Sequence, residues 1–413
     1  MCCNSGNFQV IGLSELNGKR VLVRTDFNVP IRDGIVQDVS KIKHHFQTID
    51  FLKKAGAKII IISHIALKPE LEHRHSLKIV ADIVAREYRL NVVFANDCLG
   101  DDVETIIATS RNDDIILLEN LRFHPGEEEC DFKFAKKLAG LADFYINDAF
   151  SMSHRRHASM CLLPQLLPHA FGFSFENELN MLRYFFNEAK SPKMSIVGGS
   201  KLSTKVKLLK NLTRRVNKLA LGGGIAGVFL AFQDKIPIRI SNLDSYANEI
   251  AAIVESAEKN GCELVLPVDF SALIGQHCLS EAIMCVGGDN MHCLESAIFD
   301  IGPDSVDLFK RHLAASATVL WNGPLGLFEK APFDFGTKSV AEEMARLSRE
   351  RKLVSIVGGG ETSFAMNKFG VADDLTHLSI SGGAFLTYLE GGDLPGLAAM
   401  TNALPLQLHD PAF

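Results

Sequence analysis

Short apolar segments alternate with longer amphipathic ones along almost the whole chain. The short segments are rich in β-branched residues, which is typical of strands buried on both faces of a parallel sheet. The longer segments repeat apolar residues with a helical period. We predict strands at 20–23, 58–62, 91–94, 115–118, 144–147, 194–197, 219–221, 263–268, 318–321, 353–357 and 377–380, and helices at 76–88, 134–141, 246–260 and 337–349.

The same pattern indicates the domain organisation. Alternating strands and helices favour parallel sheets flanked by helices, the α/β class. A chain of 413 residues is long enough for two or three domains, and the two strand series suggest two of similar size. Pro164, Pro168 and Gly172 interrupt the pattern, which places the predicted seam near 164–178. The helical segment 177–189 is expected to join the halves.

Composition and charge exclude several classes of protein. Hydrophobic residues make up 47% of the chain and charged residues 22%, as in ordinary soluble globular proteins. The net charge of -6 gives no general attraction for nucleic acid, and no apolar run is long enough to cross a bilayer. The N-terminus lacks the pattern of a secretory signal. Nine cysteines are scattered without C-x-x-C spacing, which argues against a disulfide framework or a zinc site and favours a reducing cytoplasm.

A glycine turn followed by two lysines is the most informative local motif. The predicted strand at 194–197 runs into Gly198 and Gly199, and Lys201 and Lys205 are expected on the first turns of the helix that follows. Backbone N–H groups and the helix dipole attract anions there, and lysines add charge that suits a polyphosphate. Ser200 distinguishes the motif from a Walker A loop. A solvated helix start with surface lysines explains this segment equally well.

Basic residues follow the predicted strands of the first half. The segments concerned are 24–28, 63–64, 119–122, 147–148 and 154–157. Ligands bind beyond the carboxyl ends of strands in open parallel sheets, and arginine matches phosphate and carboxylate oxygens. A single arginine or histidine usually serves a surface ion pair or a polar core contact. Five such segments at one sheet edge instead predict a site for a small, highly anionic substrate.

Glycine follows the predicted strands of the second half, at 198–199, 222–224, 322–326, 358–360 and 382–383. Glycine lets the backbone approach a base or a phosphate closely, although any one glycine can serve only a tight turn. Trp321, Phe328 and Phe229 are candidates to line an apolar nucleotide slot. The first half is therefore predicted to bind an anionic substrate and the second half a nucleotide. Closure of the cleft between the halves is expected to bring the two ligands together.

Several segments together resemble the phosphoglycerate kinase family. They are RTDFNVP at 24–30, ENLRF at 119–123, NDAF at 147–150, HRRHAS at 154–159, DIGP at 300–303, WNGP at 321–324, GGGET at 358–362 and LPG at 394–396. The motifs occur in family order over nearly the whole chain. The resemblance implies reversible phosphoryl transfer between 1,3-bisphosphoglycerate and ADP, giving 3-phosphoglycerate and ATP. It also implies two Rossmann-like lobes joined by a hinge.

The resemblance implies boundaries and residue roles. The N-terminal phosphoglycerate-binding lobe is expected at 1–172, the hinge helix at 173–190 and the nucleotide-binding lobe at 191–389, with a tail from about 390 to 413 packing on the first lobe. Substrate-binding residues are Arg24, Asp26, Asn28, Lys41, His64, Arg122 and Arg155. Nucleotide-binding residues are Lys201, Lys205, Gly222, Gly223, Gly224, Asn322, Leu327, Glu329, Gly358, Gly359, Gly360, Glu361 and Thr362. Catalytic positions are Lys41, Lys201, Gly360 and Gly383, and Glu361 is expected to hold Mg²⁺ with ATP or ADP.

The chain departs from the family pattern at four places. Lys41 replaces an arginine beside the transferring phosphoryl group. Ala66 and Leu67 replace a glycine and an arginine, which leaves Lys68 as the neighbouring cation. The glycine turn near 380–385 ends in phenylalanine, and Glu361 replaces an aspartate.

Two alternatives stay open on the sequence. Residues 222–227 match G-x-G-x-x-G, with Asp244 further on, as in a dinucleotide-dependent oxidoreductase. A non-catalytic nucleotide-binding protein on the same fold would also explain Lys41 and Leu67. The expected protein is a cytoplasmic monomer that binds neither nucleic acid nor a membrane.

Overall fold

The computed structural model describes residues 9–11, 13–32, 35–66, 76–233, 243–274, 282–287, 298–403 and 406–408. The chain divides into two compact units, which we call unit 1 (Met1–Asn180 and Asp393–Phe413) and unit 2 (Met181–Gly392). No helix within the described ranges is both long and apolar enough to span a membrane.

The strands of unit 1 are β1 (Gln9–Ile11), β2 (Arg20–Arg24), β3 (Ile31–Arg32), β4 (Ile35–Val36), β5 (Lys58–Ile62), β6 (Val92–Phe94), β7 (Ile115–Leu117), β8 (Phe144–Asn147), β9 (His169–Phe171) and β19 (Leu406–Leu408). Those of unit 2 are β10 (Lys193–Val197), β11 (Lys218–Leu221), β12 (Glu263–Val265), β13 (Asp269–Ile274), β14 (Ala282–Gly287), β15 (Ile298–Ile301), β16 (Thr318–Asn322), β17 (Val354–Val357) and β18 (His377–Leu378).

The helices of unit 1 are α1 (Leu13–Leu16), α2 (Ser40–His44), α3 (Phe46–Lys54), α4 (Lys78–Tyr88), α5 (Asp101–Thr109), α6 (Pro125–Glu128), α7 (Phe132–Gly140), α8 (Ala158–Cys161), α9 (Leu163–Leu166) and α18 (Pro395–Asn402). The helix α10 (Phe173–Arg183) continues into a π turn at Tyr184–Glu188. Unit 2 has α11 (Val206–Leu212), α12 (Gly223–Phe232), α13 (Leu243–Lys259), α14 (Pro303–Ala314), α15 (Phe335–Arg349), α16 (Gly360–Lys368) and α17 (Gly382–Leu389).

Each unit is built on a parallel sheet. In unit 1 the strand order is β1-β19-β9-β8-β2-β5-β7-β6, and in unit 2 it is β12-β11-β10-β16-β17-β18. All neighbouring strands in these two sheets pair in parallel. Unit 2 also has an antiparallel sheet of order β14-β13-β15. The predicted α/β class is confirmed, because parallel strands joined through helices bury both faces of a sheet.

The cores explain why the short apolar segments became strands. In unit 1, Val21, Ile59 and Ile115 from adjacent strands are buried together with Leu52 of α3 and Val80 of α4. In unit 2, an equivalent core joins β10, β11, β16 and β17 to α14 and α15, and it includes the fully buried Trp321. The strands therefore end in fixed positions, and the residues directly after them are held at one edge of each sheet.

Candidate functional site

Five basic side chains of unit 1, here called the basic cluster, follow strand ends: Arg24, His64, Arg122, Arg155 and His157. Arg24 is the last residue of β2 and is fully buried. Its Nη2 lies 3.2 Å from Nδ1 of His64, and its Nε donates to the hydroxyl of Ser159 at 2.9 Å. The parallel register of β2 and β5 brings these side chains together, as the sequence predicted.

Cationic charge is concentrated in the cluster and shifts the pKa values of its histidines. Burial lowers the pKa of His64 well below its usual range, and the charge of Arg24 lowers it further. Burial followed by the charges of Arg24, Arg122 and Arg155 lowers the pKa of His157 to about 4. In the part of the chain that the structure describes, Nε of Arg122 and Nδ1 of His157 have no hydrogen-bond partner. The Nε–H of Arg122 is a buried donor beside other cations, which favours an anionic ligand, whereas Nδ1 of His157 lies 3.7 Å from Oε1 of Glu127.

Arg122 and Arg155 differ in exposure. Arg122 lies in the 3₁₀ turn Leu121–Phe123, with Nε at 3.1 Å from Oε1 of Glu128 but without hydrogen-bond geometry. Its pKa is lowered by burial, and the charges of Arg24 and Arg155 contribute to the lowering. Arg155 is exposed to solvent. These two guanidinium groups are therefore better placed than Arg24 to meet a ligand.

Asp26 organises the loop after β2. Its Oδ2 accepts hydrogen bonds from Nζ of Lys41 at 3.2 Å and from the Ser151 hydroxyl at 2.5 Å, while Oδ1 accepts from the N–H of Asn28. Burial alone would raise the pKa of Asp26, but the charge of Lys41 and these hydrogen bonds hold it below its usual range. The side chain of Asn28 in turn accepts from the N–H of Ala66 at 3.0 Å. Asp26 thus holds the side chain of Lys41 and the backbone of Asn28 in fixed positions.

Sequence reasoning missed Glu127 as part of this site. The carboxylate is fully buried, lies 4.0 Å from Nη2 of Arg24, and accepts from both the N–H and the hydroxyl of Ser159. Residues 127–129 are all glutamate, a pattern typical of a solvent-exposed acidic run. Only the fold reveals that the first of them supports Arg24.

The two lysines of unit 2 are arranged differently from the prediction. A 3₁₀ turn at Leu202–Thr204 separates Lys201 from Lys205, and α11 begins at Val206. Lys201 is exposed, whereas Lys205 is half-buried and donates to the amide oxygen of Asn322. Burial lowers the pKa of Lys205, and the charges of Glu361 and Glu390 oppose that shift. Lys201 is therefore accessible to a ligand, while Lys205 already contacts Asn322.

Two glycines of the nucleotide set are required by the backbone. Gly223 has φ +60°, and a Cβ there would lie 2.9 Å from the carbonyl oxygen of Gly199. Gly359 has φ +105°, and a Cβ there would lie 2.5 Å from Nδ2 of Asn322. Gly222 and Gly224 flank the first of these positions at the start of α12. Such close approaches need glycine, and they bring the turns of unit 2 together.

Asn322 and Thr362 connect these turns. Nδ2 of Asn322 donates to the carbonyl of Gly358 at 2.7 Å, and the N–H of Gly323 donates to the Thr362 hydroxyl at 2.7 Å. Both side chains are nearly fully buried. Because Lys205 also contacts Asn322, the ends of β16 and β17 and the turn after β10 form one connected group.

The other residues predicted to bind nucleotide lie on loops or at the starts of helices in unit 2. The N–H of Leu327 donates to the carbonyl of Phe299 at 2.7 Å, and Glu329 is exposed. Gly360 and Glu361 open α16, and Gly383 lies in the first turn of α17. Glu361 is an exposed carboxylate, so it is accessible to a cation carried by a nucleotide.

The aromatic residues expected in a nucleotide slot are inside the unit instead. Trp321 and Phe229 have 0% exposure and Phe328 has 2%. Trp321 donates to the carbonyl of Gly323 at 2.7 Å and so fixes the turn from within. These three aromatic side chains therefore belong to the hydrophobic core and do not line a ligand slot. Leu67 and Lys68, which carry one departure from the family pattern, lie outside the described residues.

Comparison with known proteins decides the family. The family model described as phosphoglycerate kinase matches residues 11–392. The chain belongs to the phosphoglycerate kinase family. It is 41% identical over 397 residues to a phosphoglycerate kinase of Bartonella henselae, covering 96% of this chain and 100% of the relative. It is also 41% identical over 403 residues to one of Wolbachia pipientis, with 96% and 100% covered.

Solved structures agree with this assignment. The phosphoglycerate kinase of Coxiella burnetii has a TM-score of 0.81 at 32% identity, covering 96% of this chain and 100% of that one. That of Pyrococcus horikoshii has a TM-score of 0.80 at 27% identity, covering 94% and 97%. The resemblance predicted from the motifs is therefore confirmed.

Proposed function

We propose that this chain catalyses reversible phosphoryl transfer between 1,3-bisphosphoglycerate and ADP, giving 3-phosphoglycerate and ATP. The observation that carries the proposal is the basic cluster of unit 1, where Arg24 lies 3.2 Å from His64 and where burial and the nearby guanidinium groups lower the pKa of His157 to about 4. Family membership and fold support the same activity. Neither favours the oxidoreductase or the non-catalytic protein, and the side chain of Asp244 lies outside the described residues.

The residues act by positioning and charge. Arg122 and Arg155 bind the anionic phosphoglycerate, while Arg24 and His64 hold the floor of that site. In unit 1, Lys41, fixed by Asp26, offsets negative phosphate charge, and in unit 2 the exposed Lys201 does the same. The glycine turns present backbone N–H groups to the nucleotide. Phosphoryl transfer needs this kind of electrostatic stabilisation rather than a covalent nucleophile.

We assign the lobes as follows. Residues 1–172 bind phosphoglycerate, 173–190 form the hinge helix and 191–389 bind nucleotide, while the tail from about 390 packs with the first lobe. The position of β19 between β1 and β9 supports the assignment of the tail. We also propose a cytoplasmic monomer.

Glu361 is proposed to hold Mg²⁺ together with the nucleotide phosphates. The donor set fits, because proteins usually bind Mg²⁺ through one or two carboxylates plus phosphates and water. The bound ion would neutralise phosphate charge. The exposed carboxylate opens α16 beside the connected glycine turns and acts electrostatically on Lys205.

Thermal unfolding in the presence of ligands tests the nucleotide and the metal together. We expect Mg-ADP to raise the melting temperature, NAD to leave it unchanged, and Glu361→Gln to need more Mg²⁺ for the same protection. Protection by NAD but not by ADP would support an oxidoreductase instead. If Glu361→Gln leaves the magnesium requirement unchanged, the carboxylate serves only the start of α16.

A further inference from the structure

Three metal-ligating side chains meet in unit 1 at a place that the kinase reaction does not use. Asp97 and Cys98 lie in the loop after β6, and His124 follows the 3₁₀ turn after β7. One ligand atom from each side chain can be chosen so that all three lie within 4.8 Å of one another. The parallel pairing of β6 and β7 brings these two loops side by side, so sequence spacing alone gave no sign of the group.

Two of the three side chains contact each other, and the backbone of the third contacts the same carboxylate. Nε2 of His124 lies 2.6 Å from Oδ1 of Asp97, and the N–H of Cys98 donates to the same oxygen at 2.6 Å. The Cys98 thiol is fully buried and donates to the carbonyl of Glu119 at 2.8 Å. The His124 ring also contacts Phe134, with 5.3 Å between ring centroids. Asp97 therefore connects the loop of Cys98 to the His124 ring.

One of the three side chains lines a groove. A cavity of about 1160 Å³ is lined by residues of α5 and α7 and also by Leu99, Gly100 and His124. The side chains of Asp97 and His124 are 56% and 30% exposed, whereas Cys98 is buried. A zinc site with three protein ligands takes water in its fourth position.

We propose that Asp97, Cys98 and His124 bind a divalent cation of the zinc class. Thiolate and imidazole suit Zn²⁺ and Co²⁺, whereas Mg²⁺ prefers oxygen ligands, so this site is chemically distinct from the magnesium site at Glu361. Ligand atoms of a tetrahedral zinc site are roughly 3.3–3.8 Å apart, given Zn–S and Zn–N bonds of about 2.3 and 2.0 Å.

Thiolate rather than thiol is the metal ligand, so binding displaces the proton of Cys98.

Titration with Co²⁺ in the absence of nucleotide tests the site in the full chain. We expect one equivalent to produce a cobalt–thiolate charge-transfer band in the near ultraviolet and Zn²⁺ to abolish it by competition. Cys98→Ser should remove the band, and the matched control Cys262→Ser, at a buried cysteine of unit 2, should retain it. His124→Gln, a change at a partly exposed ring, should weaken Zn²⁺ binding by at least about 10-fold in calorimetry.

Two results would overturn the proposal. One is a cobalt–thiolate band that persists in Cys98→Ser, since the metal would then be bound by other cysteines. The other is equal Zn²⁺ affinity in the natural chain and in His124→Gln. Circular dichroism of each variant confirms that its fold is intact, and His124→Gln keeps the test available if Cys98→Ser does not fold.

Discussion

His157 lies among the guanidinium groups of Arg24, Arg122 and Arg155, and burial together with those charges lowers its pKa to about 4. An unfolded chain has a histidine pKa near 6.5, so the unfolded state binds more protons between these values. The contribution of His157 to stability is therefore complete above about pH 6.5 and is lost as the pH falls through 4.

The first prediction concerns this titration. Saturation with 3-phosphoglycerate should raise the pKa of His157, because the bound anion offsets the charge of the guanidinium groups. Histidine NMR titration with and without the ligand measures the change. His312 of unit 2, whose pKa is also lowered by burial, is the control and should not respond. Identical titration curves for His157 would place phosphoglycerate elsewhere.

The second prediction concerns Lys201. Because its exposed ammonium is proposed to stabilise transferring charge, Lys201→Ala should lower kcat by about 10²-fold while the melting temperature stays the same. The matched control is Lys207→Ala, which removes another exposed lysine a few residues away in α11. Equal turnover in the two variants would show that Lys201 is an ordinary surface residue.

At the residue scale, the sequence predicted which basic side chains gather at the sheet edge, because those residues directly follow apolar strands. Arg24 and His64 come together because their strands pair directly. Glu127 was not predicted, because its role depends on burial against Arg24 and Ser159, which are distant in sequence. Trp321 was assigned to a slot because composition cannot distinguish a core aromatic from a ligand-binding one.

At the element scale, Asp148 supports the start of α10. Its Oδ1 accepts from the N–H of Ser174 at 2.9 Å, and its Oδ2 lies 2.7 Å from Nδ1 of His45. His45 in turn accepts from the N–H of Asp26 at 3.0 Å. The Asp148 carboxylate therefore connects the loop after β2, through His45 and Asp26, to the first turn of α10 within unit 1.

The third prediction follows from these contacts. Asp148→Ala should lower the free energy of unfolding by about 1–3 kcal/mol, because it leaves buried donors without a partner. Urea denaturation followed by circular dichroism measures the loss. Ser174→Ala is the control, since the bond uses the backbone of Ser174 and survives the change. A variant at position 148 as stable as this control would show that α10 starts without help from the carboxylate.

Predicted and observed elements differ where tertiary partners decide the outcome. The predicted strand at 263–268 ends at Val265, and the next strand, β13, belongs to the antiparallel sheet. The three-residue β9 was missed because it is too short to show a period and follows Pro168. The strands β9 and β13 form because adjacent strands supply their backbone hydrogen bonds, and the local sequence pattern does not encode those partners.

At the scale of the whole molecule, β1 and β19 pair although they come from opposite ends of the chain. Local hydrophobic pattern predicts that parallel sheets form, but not which distant strand completes an edge. The family resemblance supplied the identity because its motifs extend over nearly the entire chain, and the family match at residues 11–392 confirms it.

The central claim is that the basic cluster and the glycine turns serve phosphoryl transfer. Steady-state turnover of purified chain with 3-phosphoglycerate, ATP and Mg²⁺ tests it most directly. We predict saturable turnover that requires all three, with kcat in the ordinary enzymatic range of about 1–10³ s⁻¹. Binding of ATP and 3-phosphoglycerate without turnover would contradict the claim and identify a non-catalytic protein on a kinase fold.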